Sequence, residues 1–328
     1  MVCWNNYFFI NIMSLDFPKS VDESAKRISP FIRKTYFTYS PVFSNLLSSD
    51  VRFKMENLQV TGSFKVRGAV NKLLSLTQET RQKGIVSAST GNHGAAVAYA
   101  AKELNVECSI FVPKDASAAK LQNIKNYAAK IEVYGEDCVD SEMKAREIAN
   151  QNDQVYVSPY NDSFVVAGQG TIGYEIKDQC DGLDAIIVSV GGGGLIGGTA
   201  SYLKSVWPSI QVIGCSPENS AVMIHSIKKE EILDLESKPT LSDGTAGGVE
   251  KESITFPICK DIIDQTILVS ETEIQNGMLK FLENERMLLE GAAGTAVAAL
   301  IKMKDELKGK KVGVVICGGN ISLDVLKK

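Results

Sequence analysis

The chain has 328 residues, 44% hydrophobic and 23% charged, with a formal net charge of −4. These values suit one large globular unit or two α/β lobes, and they exclude a basic field for nucleic acid or a pull toward an anionic membrane. Seven cysteines stand at positions 3, 108, 138, 180, 215, 259 and 317 with no C-x-x-C pair, which argues against a zinc site or a disulfide framework and for a reducing, cytoplasmic setting.

The opening MVCWNNYFFINIM is aromatic and lacks the basic segment and small-residue cleavage site of a signal peptide. Residues 1–13 are expected to be a disordered or non-native extension, with Met13 a candidate start. From Ser20 the sequence fits a short capped helix. Pro30 and Pro41 bracket an extended stretch that leads to a strand at 51–55. Strands are predicted at 85–88, 106–112, 130–134 and 155–158, separated by helices at 95–104, 116–126 and 137–150. Alternation of this kind builds a parallel sheet through right-handed crossovers. A second α/β block begins with a helix at 164–180, where Gly168, Gly170 and Gly173 allow close packing. It continues with a strand at 185–190, a helix at 195–206 and a strand at 212–215. A glycine- and serine-rich loop at 238–250 precedes a strand at 267–269, helices at 272–285 and 294–307, and a last strand at 312–316. The fold class is α/β, with parallel sheets and helices on both faces. No run is long and apolar enough to span a bilayer.

Four segments carry chemistry. Thr61-Gly62-Ser63-Phe64-Lys65-Val66-Arg67-Gly68-Ala69 sets a lysine among small residues, directly after an aromatic, where a helix would begin. Such a lysine reaches sideways into a cleft, and lysine forms Schiff bases with carbonyl compounds once desolvation lowers its pKa. The plainer reading is a solvated side chain. Ser89-Thr90-Gly91-Asn92-His93-Gly94 lies between a strand and a helix, where backbone N–H groups attract an anion such as a carboxylate. Its plainer reading is an ordinary βα loop with a packed histidine.

Gly191-Gly192-Gly193-Gly194-Leu195 follows a buried strand and opens a helix, a setting in which N–H groups converge on a phosphate. On this reading a Cβ at Gly192 or Gly193 would occupy the anion's place. A tight turn is the alternative, and Gly192, Gly194 and Gly197 also satisfy the dinucleotide fingerprint G-x-G-x-x-G. That fingerprint wants an acid at the end of the next strand, where this chain has Ser216 and Pro217. Cys317-Gly318-Gly319-Asn320 ends the last strand, and its cysteine reads alone as a buried structural thiol.

In this order the four segments resemble the motifs of the fold-type II pyridoxal-phosphate enzymes, most closely the threonine/serine dehydratase and serine racemase branch. The resemblance runs from about residue 20 to the end. It implies a large domain of residues 14–83 and 159–328 with a small domain, 84–158, inserted in it, and pyridoxal 5′-phosphate between the two. It implies that Lys65 is catalytic and holds the cofactor as a Schiff base, with Phe64 against the pyridine ring. It gives Ser89, Thr90, Gly91, Asn92 and His93 the substrate carboxylate, and Asn92 also the cofactor 3-hydroxyl. It gives Gly191, Gly192, Gly193 and Gly194 the 5′-phosphate, and it sets Cys317 facing the pyridine nitrogen. Gly244, in Ser242-Asp-Gly-Thr-Ala-Gly-Gly, resembles the family's loop beside the ring, and Glu290-Gly-Ala-Ala-Gly resembles another segment near the cleft. For both, a purely structural loop is the alternative.

The implied reaction is β-elimination from L-threonine or L-serine, giving a 2-oxo acid and ammonia, in a homo-oligomer, a dimer by resemblance. No regulatory domain and no metal are expected. Serine racemases carry a serine where this chain has Thr90, and cation-binding acids where it has Ser216 and Val222. Both departures weigh against racemization. The competing readings are serine racemase, a dehydratase-like enzyme of hydroxyectoine breakdown, an NAD-dependent oxidoreductase resting on the one fingerprint, and a ligand-binding module, which the presence of Lys65 disfavours.

Overall fold

The computed structural model describes residues 17–322 except 115 and 117; the extension expected at 1–13 lies outside them. Short runs with β-branched and aromatic residues make the strands β1 (Phe37–Tyr39), β2 (Asp50–Met55), β3 (Ile85–Ala88), β4 (Cys108–Val112), β5 (Lys130–Val133), β6 (Val155–Tyr156), β7 (Ala185–Ser189), β8 (Gln211–Pro217), β9 (Gln265–Val269) and β10 (Lys311–Ile316). The helices of the first half are α1 (Phe17–Ile28), α2 (Pro41–Leu47), α3 (Lys65–Ser75), α4 (Gln78–Gln82), α5 (Asn92–Glu103), α6 (Ala118–Lys125) and α7 (Cys138–Gln151). Those of the second half are α8 (Ser163–Gln179), α9 (Gly194–Val206), α10 (Val222–Lys229), α11 (Thr255–Ile262), α12 (Glu271–Glu285), α13 (Gly291–Lys302) and α14 (Lys304–Leu307).

The strands sort into two sheets. One has the order β1-β2-β10-β7-β8-β9, parallel throughout except for the antiparallel edge strand β1. The other has the order β5-β4-β3-β6 and is parallel. All five residues of β7 are buried, as befits a central strand covered on both faces. Helix α13 packs across β7 to β10, and α9 packs on β7. Helix α3 lies outside the stretch that supplies the smaller sheet, yet its Val66, Ala69, Val70 and Leu73 join Ile85 and Ile110 in that sheet's core.

Two differences from the sequence reading have local causes. The stretch before β2 is not extended throughout: Pro41 opens helix α2, and the Ser40 side chain accepts from Phe43 N. A proline at the first helical position sacrifices no intrahelical bond, so it starts the helix. The helix read at 294–307 begins earlier and breaks at Met303 into α13 and α14. No helix among the described residues is long and apolar enough to cross a membrane.

Glycines set the close packing of α3, α8 and α9. A methyl group at Gly168 of α8 would lie 2.7 Å from Arg67 O and from Gly68 Cα, and one at Gly173 would lie 2.7 Å from Thr199 O of α9. This crossing brings a buried charge network together. The Arg67 guanidinium donates to both Glu56 oxygens, at 2.7 and 2.9 Å, and to both Glu175 oxygens, at 2.8 and 2.9 Å. Lys54 Nζ reaches Glu175 Oε2 at 2.5 Å and Thr35 O at 2.8 Å. Two cations and two carboxylates balance, and every one of the four residues is buried.

Burial pushes the Glu175 pKa up, but Arg67 and Lys54 outweigh it and hold the carboxyl below its ordinary value. The group's contribution to stability is therefore present above the unfolded carboxylate pKa and is lost as pH falls through the depressed folded value. Arg67→Met strands two carboxylates on one lysine. It is expected to cost about 3–5 kcal/mol, the scale of an uncompensated buried charge, read as a lowered urea midpoint. A loss below about 1 kcal/mol would remove the network from the supports of the fold.

Candidate active site

A cavity of about 390 Å³ opens where strands of both sheets end. Ala88 ends β3 and Ser89 follows it, Ser189 ends β7, and Cys317 follows β10. Pockets at the carboxyl ends of parallel strands are the rule in α/β folds. Every site residue expected from the sequence lines this one cavity: Phe64, Lys65, Ser89, Thr90, Gly91, Asn92, His93, Gly191, Gly192, Gly193, Gly194, Gly244 and Cys317.

Lys65 is the first residue of α3. The approach to it is tied to the end of β10, because Phe64 N donates to Cys317 O at 3.0 Å and Gly319 N to Gly62 O at 2.9 Å. Gly62 takes a φ of +75°, a conformation that glycine adopts at little cost. Lys65 Nζ donates to Pro159 O at 2.9 Å and stands 5.2 Å from the centre of the Phe64 ring. Desolvation lowers the Lys65 pKa to about 8, against the opposing pull of Cys317 and Glu290.

The Ser89 loop is braced internally, with Gly91 N donating to Ser89 Oγ at 3.1 Å. Asn92 opens α5. Its Nδ2 lies 2.9 Å from both oxygens of Glu290, and its Oδ1 accepts from Asn320 Nδ2 at 2.7 Å. His93 Nε2 lies 2.9 Å from Val157 O, and a carbonyl only accepts, so Nε2 carries the proton. Burial, with Lys65 nearby, lowers the His93 pKa to about 3, which keeps the ring neutral. His93 thus pins the loop to the end of β6.

The glycine run turns through Gly193, at φ +84°, into α9. Thr255 Oγ1 donates to Gly192 O at 2.5 Å, and Cys259 Sγ to Gly193 O at 3.6 Å. The amides of Gly191, Gly192, Gly193, Gly194 and Leu195 donate to no acceptor among the described residues. A row of uncommitted N–H groups at a helix N-terminus fits a phosphate, both by the donor set and by the dipole. The expectation that a Cβ at Gly192 or Gly193 would occupy the anion's place is corrected, however. Such a group would meet protein first: Tyr160 Cγ at 2.5 Å for Gly192 and Cys259 Sγ at 2.7 Å for Gly193.

At the other end of the cavity, Cys317 is buried, and burial followed by the Glu290 charge raises its pKa well above the ordinary value. The thiol is therefore protonated. Glu290 accepts from Asn320 N at 3.2 Å as well as from Asn92, and burial pushes its pKa up to about 7. For the Glu290 segment the sequence allows a structural loop or a place near the cleft; Glu290 lines the cavity. Pro159, Tyr160 and Ser189 also line it and were missed. No pattern marks the first two: they lie three and four residues past β6, and their partners Lys65 and Gly192 are about ninety and thirty residues away in sequence.

In cofactor-free protein, acylation of Lys65 by a small amine-directed reagent should rise with pH to about 8 and then level off. Exposed lysines should keep gaining reactivity toward about pH 10. Mass mapping of labelled peptides reads the difference, and a Lys65 profile that follows the exposed lysines would rule out a desolvated amine.

Comparison with known proteins agrees with this geometry. A family model described as pyridoxal-phosphate dependent enzyme matches residues 28–318. The L-threonine ammonia-lyase of Thermotoga maritima is 38% identical over 311 residues, 94% of this chain and 77% of the relative. The catabolic L-threonine dehydratase of Staphylococcus aureus is 40% identical over 307 residues, 92% of this chain and 88% of the relative. The structure of maize serine racemase superposes with a TM-score of 0.90 at 31% identity, covering 94% of this chain and 95% of that one. With a family model across most of its length and relatives this similar, the chain belongs to the pyridoxal-phosphate dependent enzymes.

Proposed function

We propose that this enzyme removes water and then ammonia from L-threonine or L-serine, releasing a 2-oxo acid. Relatives named for threonine ammonia-lyase and threonine dehydratase activity support the reading. The observation that carries it is a lysine amine with its pKa lowered to about 8, in one cavity with a turn of uncommitted backbone amides. The dinucleotide reading of Gly192, Gly194 and Gly197 is not retained, since the family's cofactor is pyridoxal phosphate.

Bound pyridoxal phosphate supplies an aldehyde that condenses with amines and a ring that draws electron density from the substrate Cα. The rest is the work of this chain's residues. Lys65 Nζ would be the attachment point, and as a free amine it would take the substrate α-proton, a base's task that its lowered pKa suits. The amides of Gly191 to Gly194 would hold the phosphate, and Phe64 would support the ring. Ser89, Thr90, Gly91, Asn92 and the neutral His93 present the carboxylate subsite. Gly244 stands in the wall of the cavity. Cys317, protonated and neutral, would offer the ring nitrogen no carboxylate to enforce a proton, which would favour loss of the β-hydroxyl over transamination.

Lys65→Ala is expected to abolish both 2-oxo acid release and the visible absorbance of the holoenzyme. A variant that keeps a reducible Schiff base at the wild-type level would place the attachment elsewhere.

Racemization is the second reading, favoured by the fold likeness to maize serine racemase. It needs a second acid/base on the face opposite Lys65, within about 3 Å of the proton it moves. Thr90 lines the cavity with a hydroxyl, but β-branching restricts its χ1 and the extra methyl crowds the site. Elimination is therefore expected to dominate over D-serine formation, and Thr90→Ser to raise the share of D-serine. Chiral chromatography run beside a 2-oxo acid assay measures both. Wild-type enzyme that makes D-serine faster than pyruvate would overturn the dehydratase reading.

A further inference from the structure

We propose that Tyr160 is the positioning residue of the phosphate-binding turn, and that Gly192 is glycine because of Tyr160, not because an anion lies against it. The inference rests on the reading of Gly191 to Gly194 as the phosphate cradle.

Tyr160 follows β6 by four residues and turns back into the cavity wall. Ser158 Oγ braces this turn, accepting from Asn161 N at 3.0 Å. The tyrosine ring presses on the glycine run. A methyl group at Gly192 would lie 2.5 Å from Cγ and 2.7 Å from Cε1, and one at Gly194 would lie 3.0 Å from Tyr160 Cβ. Contacts under 3 Å to three ring atoms require the whole ring to shift; at its far end Tyr160 Oη also accepts from Glu250 N at 2.9 Å.

The neighbouring residue reinforces the hold. Asn161 Nδ2 donates to Glu250 Oε2 at 2.9 Å, and Asn161 Oδ1 accepts from Ile254 N at 2.9 Å. Thr255, next in the chain, is the residue whose hydroxyl donates to Gly192 O. Gly192 is therefore caught between the Tyr160 ring on its Cα and the Thr255 hydroxyl on its carbonyl, with its N–H left to the cavity. Pro159, directly before Tyr160, receives the Lys65 amine through its carbonyl. One short segment thus touches both the attachment lysine and the turn that takes the phosphate.

The alternative is that Gly192 must be glycine so that its backbone can approach the phosphate. A double-mutant cycle separates the two. Pyridoxal phosphate is titrated into cofactor-stripped wild type, Tyr160→Phe, Tyr160→Ala, Gly192→Ala and the Tyr160→Ala/Gly192→Ala double variant. Affinity is read from absorbance, and a urea midpoint accompanies each. Tyr160→Phe should bind within roughly twofold of wild type, since the ring stays. Gly192→Ala should bind roughly tenfold or more weakly, as overpacking predicts. The double variant should bind no more weakly than Tyr160→Ala alone.

Equal, additive losses in the two backgrounds would overturn the proposal, as would a large loss in Tyr160→Phe, which would put the role in the hydroxyl. Should the double variant fail to fold, Tyr160→Leu/Gly192→Ala closes the same cycle. Wild type that takes up no pyridoxal phosphate would overturn the cradle reading and this inference together, whereas binding with an additive cycle would overturn this inference alone.

Discussion

The Arg67 guanidinium, wholly buried and forked onto two carboxylates, is the interaction on which the rest depends. Glu56 comes from the turn after β2 and Glu175 from α8, so one side chain joins the end of β2, helix α8 and the helix that starts at Lys65. Arginine suits this role because its planar fork meets two carboxylates at once without losing a hydrogen bond. Burying four charges is costly unless each is paired. Here Thr35, Thr171 and Gln179 take up further donors and acceptors. Arg67 sits two residues after Lys65, in the first turn of α3, so the constraint on one is a constraint on the position of the other.

The chemistry of the cavity follows from a single physical cause, desolvation. It lowers Lys65 to about 8 and His93 to about 3, raises Glu290 to about 7, and pushes Cys317 well above its ordinary value. In each case the charged form loses water that the protein does not fully replace. The lysine becomes a base that works near neutral pH, while the histidine and the thiol stay neutral and serve as fixed hydrogen-bonding groups. Glu290 is the exception in its partners. Asn92 and Asn320 bond to it, which ties the loop after β3 to the end of β10 across the floor of the cavity.

The glycines divide by what they make room for. Gly62 and Gly193 hold positive φ, where a side chain would strain the backbone. Gly168 and Gly173 let helices approach backbone to backbone. Gly191 and Gly192 make room for neighbours, the Thr245 backbone and the Tyr160 ring. The run of four glycines thus answers to packing behind the turn as much as to a phosphate in front of it. A sequence shows only that side chains are missing, and their absence does not say on which side the space is needed.

Much of this protein is legible in its order of residues. Apolar runs of the right length, separated by amphipathic stretches and ended by glycine, determine strands and helices locally, so the α/β alternation and the central strands follow from the sequence by itself. The four chemical segments also stand out, because a lysine between glycines and four glycines after a buried strand are uncommon compositions. Pro41 shows the limit of local reading: the same residue ends an extended stretch or starts a helix, and Ser40 decides which. Tertiary structure alone decided what meets across the cavity. The carbonyl of Pro159 faces Lys65, Tyr160 stands behind Gly192, and Glu290 joins Asn92 to Asn320. These partners are tens to hundreds of residues apart, and nothing near any of them in the chain specifies the other. Only the parallel sheets, by bringing all their strand ends to one side, bring them together.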